Sequence, residues 1–211
     1  MPADHLEVIE AMRRMHGLTM LERRSSPYDV LIATILSQRT RDETTEWVFR
    51  DVKARWPDAR SLAAADEDEV DAVIHSIGFH RQKARAIVAV ARELVERHGG
   101  KVPTSVEGLL ELPMVGRKTA NCVLVYGFGE PAIPVDTHVH RISNRLGWVE
   151  TGSPEETERA LELSLPRELW LDVNRLMVRH GKTVCRPNRP RCGECQVAPF
   201  CHRVGVVPRP G

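Results

Sequence analysis

The chain has 211 residues, a formal net charge of +1 and a hydrophobic content of 42%, which suits one large domain or two small ones. A balance this even excludes a uniformly basic or acidic protein, so any nucleic-acid face has to come from how charge is distributed. The polar start MPADHLEVIE and the lack of a long apolar run argue against a signal-peptide core and a membrane span.

Residues 4–15 have weak helical spacing through Leu6, Ile9 and Met12. Ser26 is then expected to cap a strong helix, with Pro27 at its first position and Tyr28, Leu31, Ile32, Ile35 and Leu36 on one face. The next six residues, Ser37-Gln38-Arg39-Thr40-Arg41-Asp42, are all polar and separate two apolar helices without Gly or Pro. They read either as a turn in which Thr40 or Asp42 caps the helix through Trp47 and Val48, or as a loop facing a ligand. Residues 66–77 make a short helix that Gly78 is expected to close. Phe79 and His80 follow, before a long helix with Ala84, Ile87, Val88, Ala91, Leu94 and Val95 on one side.

Thr104-Ser-Val-Glu107 reads as a capping box opening a helix with Val106, Leu109 and Leu110 inward. It leads into LPMVGRKTA, a sharp turn through Pro113, Met114, Val115 and Gly116, with a new helix from Arg117 and Lys118. A tight turn opening a helix leaves outward backbone N–H groups that suit one phosphate. Lys118, at the positive end of the helix dipole, is expected to lose its proton more easily than a lysine in water, and a neutral amine can form a Schiff base. On this stretch alone a phosphate-binding surface lysine is an equal reading. About twenty residues on, PVDTHVHRISN places Asp136 as the N-cap of another helix, and a lysine with a carboxylate suits proton transfer around an imine. Cys122 reads as a small buried hydrophobe, and His140 suggests no role. Ser153-Pro-Glu-Glu156 is a second capping box, and Leu169, Val173, Leu176 and Met177 line a last long helix stopped by Gly181. No strand or repeat is expected: the fold class is all-α, with about ten helices.

From Glu150 to Asp172 there are seven acidic residues and two basic ones, whereas from Arg179 to Gly211 there are seven basic and one acidic. Cys185, Cys192, Cys195 and Cys201 lie in this basic end, with six, two and five residues between them. Cysteines crowded in this way suit reduced thiols in an intracellular protein better than a disulfide scaffold. A Pro-rich loop with no core of its own needs its four thiolates to bind something, and zinc is the general candidate, although its usual pattern has two close pairs rather than one. Arg186, Arg189 and Arg191 stud the loop between the first two thiols, separated by Pro187, Asn188 and Pro190, an arrangement suited to phosphate contacts.

At Gly116-Arg-Lys-Thr-Ala120 and Val135-Asp-Thr-His138 the chain resembles the helix-hairpin-helix DNA glycosylases, and within them the endonuclease III family; the resemblance spans about residues 20–202. It implies Lys118 as nucleophile, Asp136 as the catalytic carboxylate and His138 as a supporting member of the Asp-Thr-His signature. The six-two-five cysteine spacing is similar to the family's [4Fe–4S] loop and implies that cluster ahead of zinc. It further implies an apolar wedge at Phe79, with His80 packing beside it or touching a phosphate, and a residue of the Ser37–Asp42 loop in the gap left by a flipped base. Family members carry glutamine at the position aligned with Arg39; here Gln38 stands one place before it, and either side chain, next to Thr40, remains a candidate. Met114 stands where family hairpins usually have Gly, but the backbone N–H groups of Met114, Val115, Gly116 and Arg117 are retained. Related hairpins also hold a monovalent cation on turn carbonyls.

The fold implied is two helical lobes, a central one from 22–131 and a second built from 1–21 and 132–211, with DNA across the cleft. The implied protein is a monomeric, cytoplasmic, nucleoid-associated repair enzyme without membrane contact. It would act on duplex DNA with oxidised pyrimidines or abasic sites as a glycosylase and β-elimination lyase, reaching the damaged nucleotide outside the base stack. Two alternatives stand beside it. A monofunctional adenine-specific mismatch glycosylase of the same superfamily lacks a lysine at the position of Lys118. A non-catalytic, zinc-stabilised DNA-binding module would use Lys118 and Asp136 for phosphate contact and capping only.

Overall fold

A computed structural model describes residues 5–18 and 25–206, and there is no strand among the described residues. In chain order the helices are α1 (His5–His16), α2 (Pro27–Ser37), α3 (Asp42–Arg55), α4 (Ala59–Ala63), α5 (Glu67–Ile74) and α6 (His80–His98). They continue as α7 (Val106–Leu110), α8 (Arg117–Cys122), α9 (Thr137–Leu146), α10 (Pro154–Ser164) and α11 (Trp170–Thr183). No described helix is long and apolar enough to cross a membrane.

Two compact units divide the chain: one is Arg24–Gly129, and the other joins the first 23 residues to Glu130–Gly211. In the Arg24–Gly129 unit, the buried stripe of α2 (Leu31, Ile32, Ile35, Leu36) and that of α6 (Ile87, Val88, Val90, Ala91, Leu94) supply much of the core. Ser26 caps α2 by accepting from Asp29 N, as its place before Pro27 predicts. Beyond α8 the helix widens into a π turn at Val123–Phe128 and ends at Gly129, φ +71°. Gly127 in that turn sits against Pro27, whose Cα would be 2.8 Å from any added Cβ, so the widened turn packs on the start of α2. Sequence periodicity gives no sign of this.

The other unit packs α1, α9, α10 and α11 around Ile9, Met12, Ile142, Leu146, Leu161, Val173, Leu176 and Met177. Asp172, almost fully buried, binds both Arg13 of α1 and Arg175 of α11. Such a group folds only when paired, because an uncompensated buried carboxylate is expensive.

Several local expectations are corrected. Neither Thr40 nor Asp42 caps α3; Arg41 holds the cap position without a side-chain bond, and the Thr40 hydroxyl accepts from Lys83 instead. α5 ends at Ile74, short of Gly78, and the left-handed residue is Phe79 at φ +59°. α7 is capped by Ser105, one residue after the expected Thr104, and Leu110 is exposed. Ser153 caps α10, but the Glu156 carboxylate accepts from Gly152 N at 2.8 Å rather than from Ser153. Gly181 does not stop the last helix, which runs to Thr183; it lies inside because a Cβ there would come within 2.3 Å of His138 Nδ1.

Candidate functional site

In the Arg24–Gly129 unit, Val115 N donates to Leu112 O at 3.1 Å, closing a turn with Pro113 second and Met114 third. Met114 has φ +57°, a conformation glycine adopts freely and an L side chain enters at a cost of about 1–2 kcal/mol. Gly116 then leads into α8 with no side-chain cap. Val115 is buried, Gly116 and Arg117 are exposed, and Lys118 is half-buried.

Arg39, Phe79 and Met114 all have positive φ, and the only other non-glycine residue that does so among the described residues is Arg203. These three, with Gln38, Gln82 and Lys83, line one cavity. The Arg39 guanidinium lies 5.4 Å above the Phe79 ring, and Phe79 is 56% exposed. Gln38 behaves differently: its Nε2 donates to Met114 O at 3.1 Å, which binds the loop after α2 to the hairpin turn. His80, at the start of α6, holds Asp71 at 2.5 Å. Beneath the loop Lys83 is 1% exposed and donates to Leu36 O at 2.8 Å, Gln38 O at 2.6 Å and Thr40 Oγ1 at 2.9 Å. Burial pushes its amine down to about 8. Sequence reasoning misses Lys83; its only signal is a lysine on the apolar side of α6, one position before Ala84.

In the other unit Asp136 caps α9, its Oδ1 accepting from His138 N and Val139 N, both at 2.9 Å. Both bonds fall on one oxygen, so capping leaves Oδ2 uncommitted. His138 Nδ1 accepts from Arg141 Nη2 at 3.1 Å, and Arg141 also donates to Cys185 O at 2.8 Å. His140 Nδ1 meets Thr157 Oγ1 at 2.7 Å.

Cys185, Cys192, Cys195 and Cys201 line a single cavity with Arg145, His180 and Val197, and none forms a disulfide. Cys185, Cys195 and Cys201 pack against the core of this unit. Burial pushes the Cys195 and Cys201 thiols up, and the neighbouring thiols add to the effect. These two thiols therefore resist ionising unless a cationic group binds them, which is how metal-binding thiols behave before loading. Among the described residues no three His, Cys, Asp or Glu side chains are drawn together as one metal ion requires. Arg145, equally silent in the sequence, donates to Arg186 O at 2.8 Å and Pro187 O at 2.7 Å, shaping the loop. Arg186, Arg189 and Arg191 are exposed along it, Arg191 reaching Glu194 at 3.2 Å. His180, pushed down to about 4 by burial, lies 3.6 Å from Cys195 Sγ and 3.1 Å from His16.

Residues 32–167 match the family described as HhH-GPD superfamily base excision DNA repair protein. Endonuclease III of Thermotoga maritima is 48% identical over 92% of this chain and 89% of its own length. The chain belongs to the endonuclease III family. Endonuclease III of a Synechocystis species is 41% identical over 92% of this chain and 90% of its own length. A solved trapped endonuclease III–DNA covalent intermediate is similar with a TM-score of 0.85 at 33% identity, covering 94% of each chain. Lys118 lies in the Arg24–Gly129 unit, and Asp136 and the four cysteines lie in the other.

Proposed function

We propose that this DNA glycosylase and abasic-site lyase removes oxidised pyrimidines from duplex DNA and nicks the strand through a Schiff base on Lys118. The amine attacks C1′ of the damaged nucleotide and the base departs with the C1′–N bonding electrons. Loss of a C2′ proton from the resulting imine then expels the 3′ phosphate. Asp136 takes the lysine proton and stabilises positive charge on the sugar, using the oxygen left free by capping. The observation that carries the reading is a half-buried lysine in the first turn of α8, directly behind the hairpin turn, in an endonuclease III family chain.

Arg39, exposed and stacked on Phe79, is the residue we assign to the gap left by the flipped base, with Phe79 as wedge; Gln38 is engaged at the hairpin. Thr40 and His80 support these tips, and Arg117, Arg186, Arg189 and Arg191 take phosphates. The four cysteines suit a [4Fe–4S] cluster, which would hold the arginine loop in shape and takes no part in base removal. Their six-two-five spacing supports this, and so does their place around one cavity. A monovalent cation on the hairpin carbonyls is compatible with the Gln38 bond, since each carbonyl has a second lone pair.

Borohydride trapping on duplexes with an abasic site or thymine glycol tests the reading. Covalent complexes on both are expected. Trapping on the abasic site alone would remove oxidised pyrimidines from the substrate class, and none on either would remove the imine.

A further inference from the structure

We infer that Lys83 is a positioning residue for lesion recognition, fixing the Arg39 loop to the helix that starts behind Phe79 so that the two exposed side chains meet DNA as one preset wedge. The inference rests on the proposed entry of these side chains into the duplex. Lys83 lies one turn into α6 from Phe79, its N–H donating to Phe79 O at 3.0 Å. Its ammonium points the other way, into the polar segment after α2, and spends all three N–H donors there, on Leu36 O, Gln38 O and Thr40 Oγ1. Arg39 sits inside this five-residue span in a left-handed conformation, against the start of α6: a Cβ on Gly78 would be 3.5 Å from Arg39 O.

Burying a cation with no carboxylate partner is costly, and an apolar side chain would fill the same place in the core more cheaply. What the ammonium provides instead is an interior attachment for carbonyls that a surface loop would ordinarily turn to water. Without it, Arg39 has no reason to keep its left-handed backbone, and the spacing between Arg39 and Phe79 is no longer set.

The test is Lys83→Met, which keeps the length and packing of the side chain and removes the donors. Borohydride trapping and cleavage are measured on one abasic-site oligonucleotide, as duplex and as single strand. A wedge has no stack to enter in a single strand. The expected result is a loss of tenfold or more on the duplex with the single-strand rate within twofold of the parent, together with a weaker fluorescence rise from 2-aminopurine opposite the abasic site. An unchanged duplex rate, or an equal loss on both substrates, would overturn the inference. Should Lys83→Met fail to fold, Thr40→Val, which removes only the side-chain acceptor, is expected to show a smaller loss confined to the duplex; equal loss on both, or none, overturns it equally. Absence of trapping by the unsubstituted protein overturns the Schiff-base reading, and the inference with it.

Discussion

Gln38 Nε2 donates to the carbonyl of Met114 at 3.1 Å, so the loop after α2 and the turn before α8 are held together by one amide. The same loop is held from below by Lys83. Arg39, between these two attachments, points outward over Phe79. Three left-handed, non-glycine residues around one cavity carry backbone strain of the kind found where side chains have to be aimed at a partner.

Lys118→Ala is expected to lower both base removal and strand cleavage by at least a thousandfold while DNA affinity changes less than about threefold, because one phosphate contact is a small part of many. Single-turnover kinetics and anisotropy titration separate the two effects. A variant still cutting abasic DNA at the parent rate would exclude Lys118 as nucleophile.

At Asp136 two substitutions separate capping from chemistry. Asn is as good an N-cap as Asp, so Asp136→Asn should keep the melting temperature while base removal falls about a hundredfold or more; Asp136→Ala should lose activity and also about 1 kcal/mol of stability. Full activity in Asp136→Asn would leave the residue a cap only.

Lys83 gives a pH signature. Its amine titrates at about 8 in the folded chain against 10.5 when unfolded, so between these values the unfolded chain holds a proton that the folded one lacks. Stability contributed by this group therefore rises with pH across that window and is flat below it. Urea midpoints of the parent, set against those of Lys83→Met from pH 7 to pH 10.5, should show the difference; parallel curves would contradict it.

Replacing Arg186, Arg189 and Arg191 together by Ala should weaken binding to all duplex sequences alike and make the log affinity–log salt slope shallower by about 0.9 for each phosphate that the loop no longer neutralises. The melting temperature should stay unchanged, since all three side chains are exposed. An unaltered salt slope would place these arginines off the DNA.

Short-range chemistry was legible in the sequence. Ser26 before Pro27, and Asp136 before Thr137, announce helix starts because a cap depends on residues two or three positions away. Long-range fit was not. Gly181 looks like a helix stop, yet it is a glycine because His138 needs the space. Gly78 looks like the reversal point, but Phe79 takes the left-handed conformation. Lys83 shows nothing in the sequence beyond its place on the apolar side of α6, because its partners lie some forty-five positions earlier. Arg141 and Arg145 gave no signal at all, because they act on backbone carbonyls of a loop some forty residues away.

The most direct measurement is to reduce the enzyme–DNA complex on an abasic duplex with borohydride, digest it and map the adduct by mass spectrometry. The sugar remnant is expected on the peptide containing Lys118. A remnant on another lysine or on the terminal amine, or no adduct while DNA remains bound, would contradict the assignment of Lys118 as the Schiff-base nucleophile.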